Sequence, residues 1–189
     1  MSSQLPFIIS GGPGSGKTTL LEALGELGFQ IFPEVPRLLI EQQSRLDDGV
    51  LPWTQLERFA EMCFQEMVIQ RDLAQQSKQL SFLDRAIPDV CAYLGFGNLP
   101  VSDDISRQAN KGYQQTVLFC MPTRETYVQD ELRPYPFEEA LSIHQALYLQ
   151  YQSLGFQVIE IPLMSVQQRV EFVVELCQTH TATTISKES

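Results

Sequence analysis

Apolar residues follow two rhythms along the chain. Short, nearly continuous runs occur at 5–10 (LPFIIS), 29–32 (FQIF), 80–84 (LSFLD), 116–121 (TVLFCM) and 156–161 (FQVIEI). Each is closed off by glycine, proline or polar residues, the signature of a strand buried on both faces. Between them the spacing turns helical. Residues 17–27 put Leu20, Leu21, Leu24 and Leu27 on one side, and residues 54–76 carry a stripe of Leu56, Phe59, Cys63 and Met67. Further helices are predicted over 37–45 behind Pro36, 88–94, 102–110, 137–154 and 165–178. Thr54-x-x-Glu57 and Ser165-x-x-Gln168 have capping-box spacing, and Ser102 is a cap candidate. Gly28 and Gly155 stand where a left-handed residue closes a helix. The pieces LGFQIF (27–32) and LGFQVI (154–159) repeat one local grammar, helix then glycine then strand.

Five strands alternating with helices predict an α/β fold, a three-layer αβα sandwich on a five-stranded parallel sheet. A single domain is expected over 1–178, followed by a polar, flexible tail over 179–189. Residues 123–136, rich in Arg, Asp and Glu, interrupt the alternation and read as a surface lid segment.

Composition narrows the function classes. The net charge of −10 argues against broad nucleic-acid binding. The four cysteines lack C-x-x-C spacing and the two histidines lack metal-ligand spacing, which fits reduced thiols without a structural metal. Neither a leader-like N-terminus nor a membrane-length apolar run is visible, so a cytoplasmic protein without membrane insertion is expected.

The chemistry concentrates where the first strand hands over to its helix. Gly11 to Thr18 satisfies G-x-x-x-x-G-K-[ST]. Glycines at 11, 12, 14 and 16 leave the backbone bare, so its amides can approach a polyphosphate from several directions. The helix start adds its positive dipole end. Nucleotide contacts are expected from Gly11, Gly12, Pro13, Gly14, Ser15, Gly16, Lys17, Thr18 and Thr19. Lys17 would reach the β- and γ-phosphates, and the Thr18 hydroxyl would ligate Mg²⁺.

Glu34 follows the second strand and Asp84 ends the third. In an open parallel sheet both would face the same crevice as the glycine loop. Asp84 is a candidate for holding Mg²⁺ through water or for taking a proton. Glu34 is a candidate base or hydroxyl acceptor for a second substrate. Arg85, and Arg124 and Arg133 in the lid segment, are candidates to meet charge on the transferred phosphoryl group. A solvated charged loop is the plainer account of the two lid arginines. Arg37 is expected to pair with Glu41 one turn on.

Three fates for the phosphates remain open: transfer, hydrolysis or sensing. "NKGY" at 110–113 lacks the acid of an N-K-x-D guanine clamp and precedes a strand, which favours ATP over GTP. The third strand ends "LDRA", with Arg85 where a water-activating Glu would stand.

The chain resembles the P-loop small-molecule kinases. More closely, it is similar to the small AAA-domain "predicted ATPase" family related to the ribosylnicotinamide kinase domain of the bacterial NAD regulator. The resemblance rests on ISGGPGSGKTTLLEAL, PEVPR, FLDRAIPD, RPYPFEEA and YQSLGFQVIEIP, in that order along nearly the whole chain. It implies a P-loop NTPase of kinase-like fold using ATP and Mg²⁺. Lys17 and Thr18 would lie on the nucleotide, with Glu34, Asp84 and Arg85 near the acceptor. The leading expectation is a kinase passing the γ-phosphate of Mg-ATP to a hydroxyl on a nucleoside-like small molecule. The alternatives are a nucleotide-dependent regulatory protein with a protein or lipid partner, and a simple NTPase.

Overall fold

Strand β1 (Phe7–Gly11) sends alternate side chains into two separate cores, Phe7 and Ile9 into one and Ile8 into the other. Its neighbours divide in the same way. In β3 (Ser81–Asp84) Phe82 and Leu83 point to opposite faces, and in β4 (Thr116–Cys120) Val117 and Phe119 oppose Leu118 and Cys120. A parallel strand covered by helices on both faces has no wet side, which explains the unbroken apolar runs.

In the computed structural model, which describes residues 4–125, 127–128 and 136–185, the strand order is β2-β3-β1-β4-β5. Strands β2 (Gln30–Phe32) and β5 (Gln157–Ile161) form the edges, and every pairing is parallel. Helices α1 (Lys17–Glu26) and α7 (Val166–Ile185) cover one face through Leu20, Leu24, Val170, Val173 and Cys177. The other face carries α2 (Val35–Gln43), α3 (Leu56–Gln76), α4 (Ile87–Phe96), α5 (Asp103–Gln108) and α6 (Phe137–Ser153). Each fully buried Phe, Leu or Ile in these layers contributes roughly 1.5–3 kcal/mol. All four cysteines are buried, and none is joined to another by a disulfide. Among the described residues no helix is long and apolar enough to cross a membrane.

The repeated LGFQ grammar has one structural meaning. After α1, Gly28 (φ 91°) donates to the Gly25 carbonyl and Phe29 to the Leu24 carbonyl. After α6, Gly155 (φ 86°) donates to Gln152 and Phe156 to Tyr151. Both are Schellman endings, in which a left-handed glycine satisfies the last carbonyls and turns the chain into the next strand.

The two predicted capping boxes part company. Ser165 and Gln168 cap reciprocally, side chain to main-chain amide in both directions. Thr54 does not cap. Its hydroxyl donates to the Leu51 carbonyl, and α3 starts at Leu56 behind Gln55. The last helix also differs from expectation: α7 continues past residue 178 to Ile185. Helix α2 starts at Val35, two residues early, with Pro36 in its first turn where a missing N–H is harmless.

Candidate active site

The glycine loop leaves the carboxyl end of β1, the central strand, flanked there by Asp84 of β3 and Cys120 of β4. Gly11 has φ 136°, and a Cβ on it would lie 2.0 Å from the Cys120 carbonyl oxygen. Only glycine lets the chain leave the sheet at this point. Gly16 (φ 71°) then sets the N-terminus of α1. Lys17 folds back over the loop, and its Nζ donates to the Gly11 and Gly12 carbonyls at 3.2 Å each and to Ser15 Oγ at 3.3 Å. Burial, followed by the Arg85 charge, pulls its pKa below the usual lysine value. Thr18 and Thr19 are exposed on the first turn of α1.

Three side chains absent from the sequence reading brace this loop. Arg169 of α7 reaches across with its guanidinium, donating to the Ser15 carbonyl (3.3 Å), the Gly16 carbonyl (3.4 Å) and Cys120 Sγ (2.9 Å). Holding these carbonyls turned away leaves the loop's amide side to an anion. His144 of α6 accepts the Gly12 N–H on Nδ1 at 3.2 Å, with its ring against Phe119. Burial and the Lys17 charge push its pKa down to about 4, so the ring is neutral. Tyr127, after β4, lies over Gly14, where a Cβ would come within 2.7 Å of its ring.

Beside the loop stands a carboxylate–arginine cluster. Arg85 occupies left-handed backbone (φ 68°), strained for a residue with a Cβ, and its amide donates to the Ile9 carbonyl. Its Nε donates to Glu34 Oε1 at 2.8 Å and one terminal nitrogen to Asp89 Oδ1 at 2.9 Å. Asp89, buried in the first turn of α4, is the hub. It also accepts from Ser10 Oγ at 2.7 Å, from the Ala86 N–H at 2.9 Å and from the Tyr151 hydroxyl. Arg85 further stacks 5.8 Å from the Tyr93 ring centre.

The two candidate carboxylates have opposite electrostatic fates. Burial raises the Glu34 carboxyl, but Arg85 and Lys17 outweigh it and hold it below the usual carboxylate range. Burial, reinforced by Glu34, pushes Asp84 up to about 7 against the pull of Lys17 and Arg85. Asp84 Oδ1 is buried without a hydrogen-bond partner among the described residues. An orphaned, buried carboxylate oxygen within electrostatic reach of Lys17, next to the exposed Thr18 in sequence, fits a hard divalent cation that keeps part of its water.

A cavity of about 690 Å³ opens from this cluster. One end is the loop itself, residues 13–19. The other runs between α2, α3 and α4 past Trp53, Phe59, Ala60 and Tyr93, with Glu34, Arg37 and Arg85 also on its wall. The glycine loop, Glu34 and Arg85 thus line one cavity, while Asp84 is buried beside them, off the cavity wall but close enough to feel the charges of Glu34, Lys17 and Arg85. Arg37 pairs with Glu41 at 3.4 Å, as expected. Arg124 pairs with Glu138 and stacks 4.9 Å from the Phe137 ring centre. Arg133 lies outside the described residues.

Comparison with solved structures shows the same frame. The chain is similar to deoxyadenosine kinase from M. mycoides with dCMP and dCDP bound (TM-score 0.65, 15% identity, covering 93% of this chain and 100% of that one). It is also similar to NadR protein in complex with NR (TM-score 0.67, 18% identity, 95% of this chain and 52% of that one). Thymidylate kinase from Candida albicans matches as well (TM-score 0.64, 15% identity, 95% of this chain and 93% of that one). At these identities the likeness establishes the fold. No curated protein matches the chain in sequence. The profile of a family described as AAA domain matches residues 6–169, from β1 into α7 and so across the glycine loop and the whole carboxylate–arginine cluster. The chain belongs to that AAA domain family, as a nucleotide-binding P-loop protein on a kinase-like five-stranded sheet.

Proposed function

We propose that the protein is a small-molecule kinase, transferring the γ-phosphoryl group of Mg-ATP to a hydroxyl on an acceptor held between α2, α3 and α4. The observation that carries this reading is the continuity of the cavity: one space of about 690 Å³ touches residues 13–19 at one end and Trp53, Phe59 and Tyr93 at the other. An NTPase that acts on water needs no such second chamber.

The roles follow from position and charge. The loop amides and Lys17 bind the β- and γ-phosphates. Thr18 and Asp84 would hold Mg²⁺, which when bound offsets phosphate charge. Glu34, kept ionised on the cavity wall, accepts the acceptor's hydroxyl hydrogen and takes the proton as the acceptor oxygen bonds to the γ-phosphorus. The bond from that phosphorus to the β–γ bridging oxygen breaks, and ADP leaves. Arg85 holds Glu34 in place and adds positive charge beside the transferring group. Arg133 of the lid segment is proposed as a further positive charge on that group.

The test is ADP formation by purified protein with Mg-ATP over a panel of nucleosides and small alcohols, with products read by mass spectrometry. One acceptor that accelerates ADP release and appears phosphorylated supports transfer. ADP at one slow rate with every acceptor indicates hydrolysis, and tight nucleotide binding without turnover indicates a regulatory protein.

A further inference from the structure

Transfer chemistry leaves the body of the acceptor undefined, and the far chamber supplies what is missing. Beyond the charged side chains of Glu34, Arg37, Arg85 and Glu139, its wall is carried by Ile40, Leu56, Phe59, Val90, Tyr93 and Phe96, with Ala60, Cys63 and Ile143 between them. Among the described residues the lining holds neither asparagine nor glutamine, and its serine and threonine hydroxyls belong to residues 15–19 at the glycine loop. A purine or pyrimidine in this chamber would find, among the described residues, charged groups only at Glu34, Arg37, Arg85 and Glu139 and no amide side chain to pair with both a donor and an acceptor on its edge. Unmatched polar edges are what an enclosed site rejects most strongly.

A second observation points to the same ligand chemistry. Trp53 is 54% exposed and Phe96 43% exposed, and both stand on the cavity wall. Two large aromatic surfaces left open at one cavity mark a contact area for an apolar partner. The Cys63 thiol there is buried, and its pKa is pushed up to about 12 by that burial, so it acts as a small apolar group.

We infer that the acceptor is an alcohol with an apolar, ring-bearing or prenyl-like body, its hydroxyl directed at Glu34 and its body between Trp53, Phe59 and Tyr93. This class excludes nucleosides. It rests on the transfer reading for the chemical step, but the binding preference stands separately.

Trp53 is the single tryptophan of the chain and reports on the chamber directly. Its fluorescence is titrated with 2-phenylethanol, geraniol, adenosine and uridine in the presence of Mg-ATP, and ADP and phosphorylated products are measured in parallel. The expected result is a saturable Trp53 signal and product with one or both apolar alcohols, at a kcat/KM at least about tenfold above either nucleoside. The two alcohols separate an aryl from a prenyl body. Ala60→Phe, which fills the chamber, should weaken the alcohol more than Mg-ATP, with thermal unfolding run alongside to confirm folding. A nucleoside used better than both alcohols overturns the inferred class and leaves transfer intact. A saturable alcohol signal without phosphorylated product refutes transfer and upholds the chamber's preference. Neither signal nor product with the alcohols overturns the inference.

Discussion

Arg85 and Glu34, 51 residues apart in sequence, meet through a 2.8 Å hydrogen bond from Nε to Oε1. The arginine cannot swing away, because Asp89 holds a second nitrogen and its own backbone sits at φ 68°. Glu34 is thus a carboxylate with a fixed position and a fixed charge at the cavity wall. Arg85→Lys keeps the charge but loses the two-ended planar grip. Under the transfer reading, kcat should fall about 10²- to 10³-fold. Arg85→Ala leaves Asp89 and Glu34 uncompensated and should also destabilise the fold by about 3–5 kcal/mol. Steady-state kinetics and urea unfolding measure the two effects; a Lys variant with parental kcat would remove Arg85 from the site.

Asp84 gives the opposite electrostatic prediction. Its pKa of about 7 lies above its value in the unfolded chain, so between roughly pH 4 and 7 the native state holds a proton the unfolded state has released. Its contribution therefore favours the fold at low pH and is lost as pH rises towards 7. Without metal at pH 8, Asp84→Asn should raise stability by roughly 1–3 kcal/mol, because a neutral amide no longer confines a charge. The same substitution should weaken Mg-ATP binding, most strongly above pH 7, where the parent carboxylate is ionised. Thermal unfolding without nucleotide and calorimetry at pH 6 and 8 check both halves. A less stable Asn variant would contradict this electrostatic account.

The parts legible in the sequence were those encoded within a few residues. The glycine loop is such a case, since Gly11 and Gly16 declare a backbone that a Cβ would block. So are the Schellman endings at Gly28 and Gly155, and the Ser165 cap. Thr54 misled because a hydroxyl near a helix start has two outlets, and the preceding turn at Leu51 took it. The end of α7 misled because a polar stretch does not stop a helix. Residues 179–185 contain neither glycine nor proline. Asp89, His144 and Arg169 were not found as bracing residues, since their partners lie 79, 132 and 154 residues away. Only Asp89 left a local trace, as an acid three residues into a proline-led helix, where it meets the Ala86 amide. The apolar chamber was invisible because it needs three helices brought together by the sheet.

Lys17 joins binding to stability in an unusual sense. Its ammonium group is buried and, among the described residues, is satisfied by bonds of 3.2–3.3 Å to loop oxygens, so the unliganded fold gains little from it. Lys17→Ala should cut Mg-ATP affinity by about 10²-fold or more through loss of the phosphate contact. Its unfolding free energy should stay within about 1 kcal/mol of the parent. Calorimetry and urea unfolding on one preparation separate the effects. Intact Mg-ATP affinity would mean that the loop does not use this side chain.

The contact between His144 and Gly12 makes the glycine loop sensitive to acid. Nδ1 accepts the Gly12 N–H only while it carries no proton, and burial keeps the ring neutral down to about pH 4. The unfolded chain protonates the same histidine near pH 6.5, so between these values it binds a proton that the native state refuses. The histidine's contribution is therefore full above about pH 6.5 and declines as pH falls to 4, the reverse of Asp84 in an overlapping window. The two must be separated by subtraction. His144→Gln retains an acceptor for Gly12 but does not titrate. The difference in unfolding free energy, parent minus variant, should fall by on the order of 1–2 kcal/mol between pH 7 and 4, allowing for partial hydration of the ring. His144→Leu has no acceptor to offer, and it should weaken Mg-ATP binding even at pH 7.5 by letting the loop leave α6. A parent-minus-Gln difference that stays flat across this range would show that the ring is protonated in place and that Gly12 has another partner.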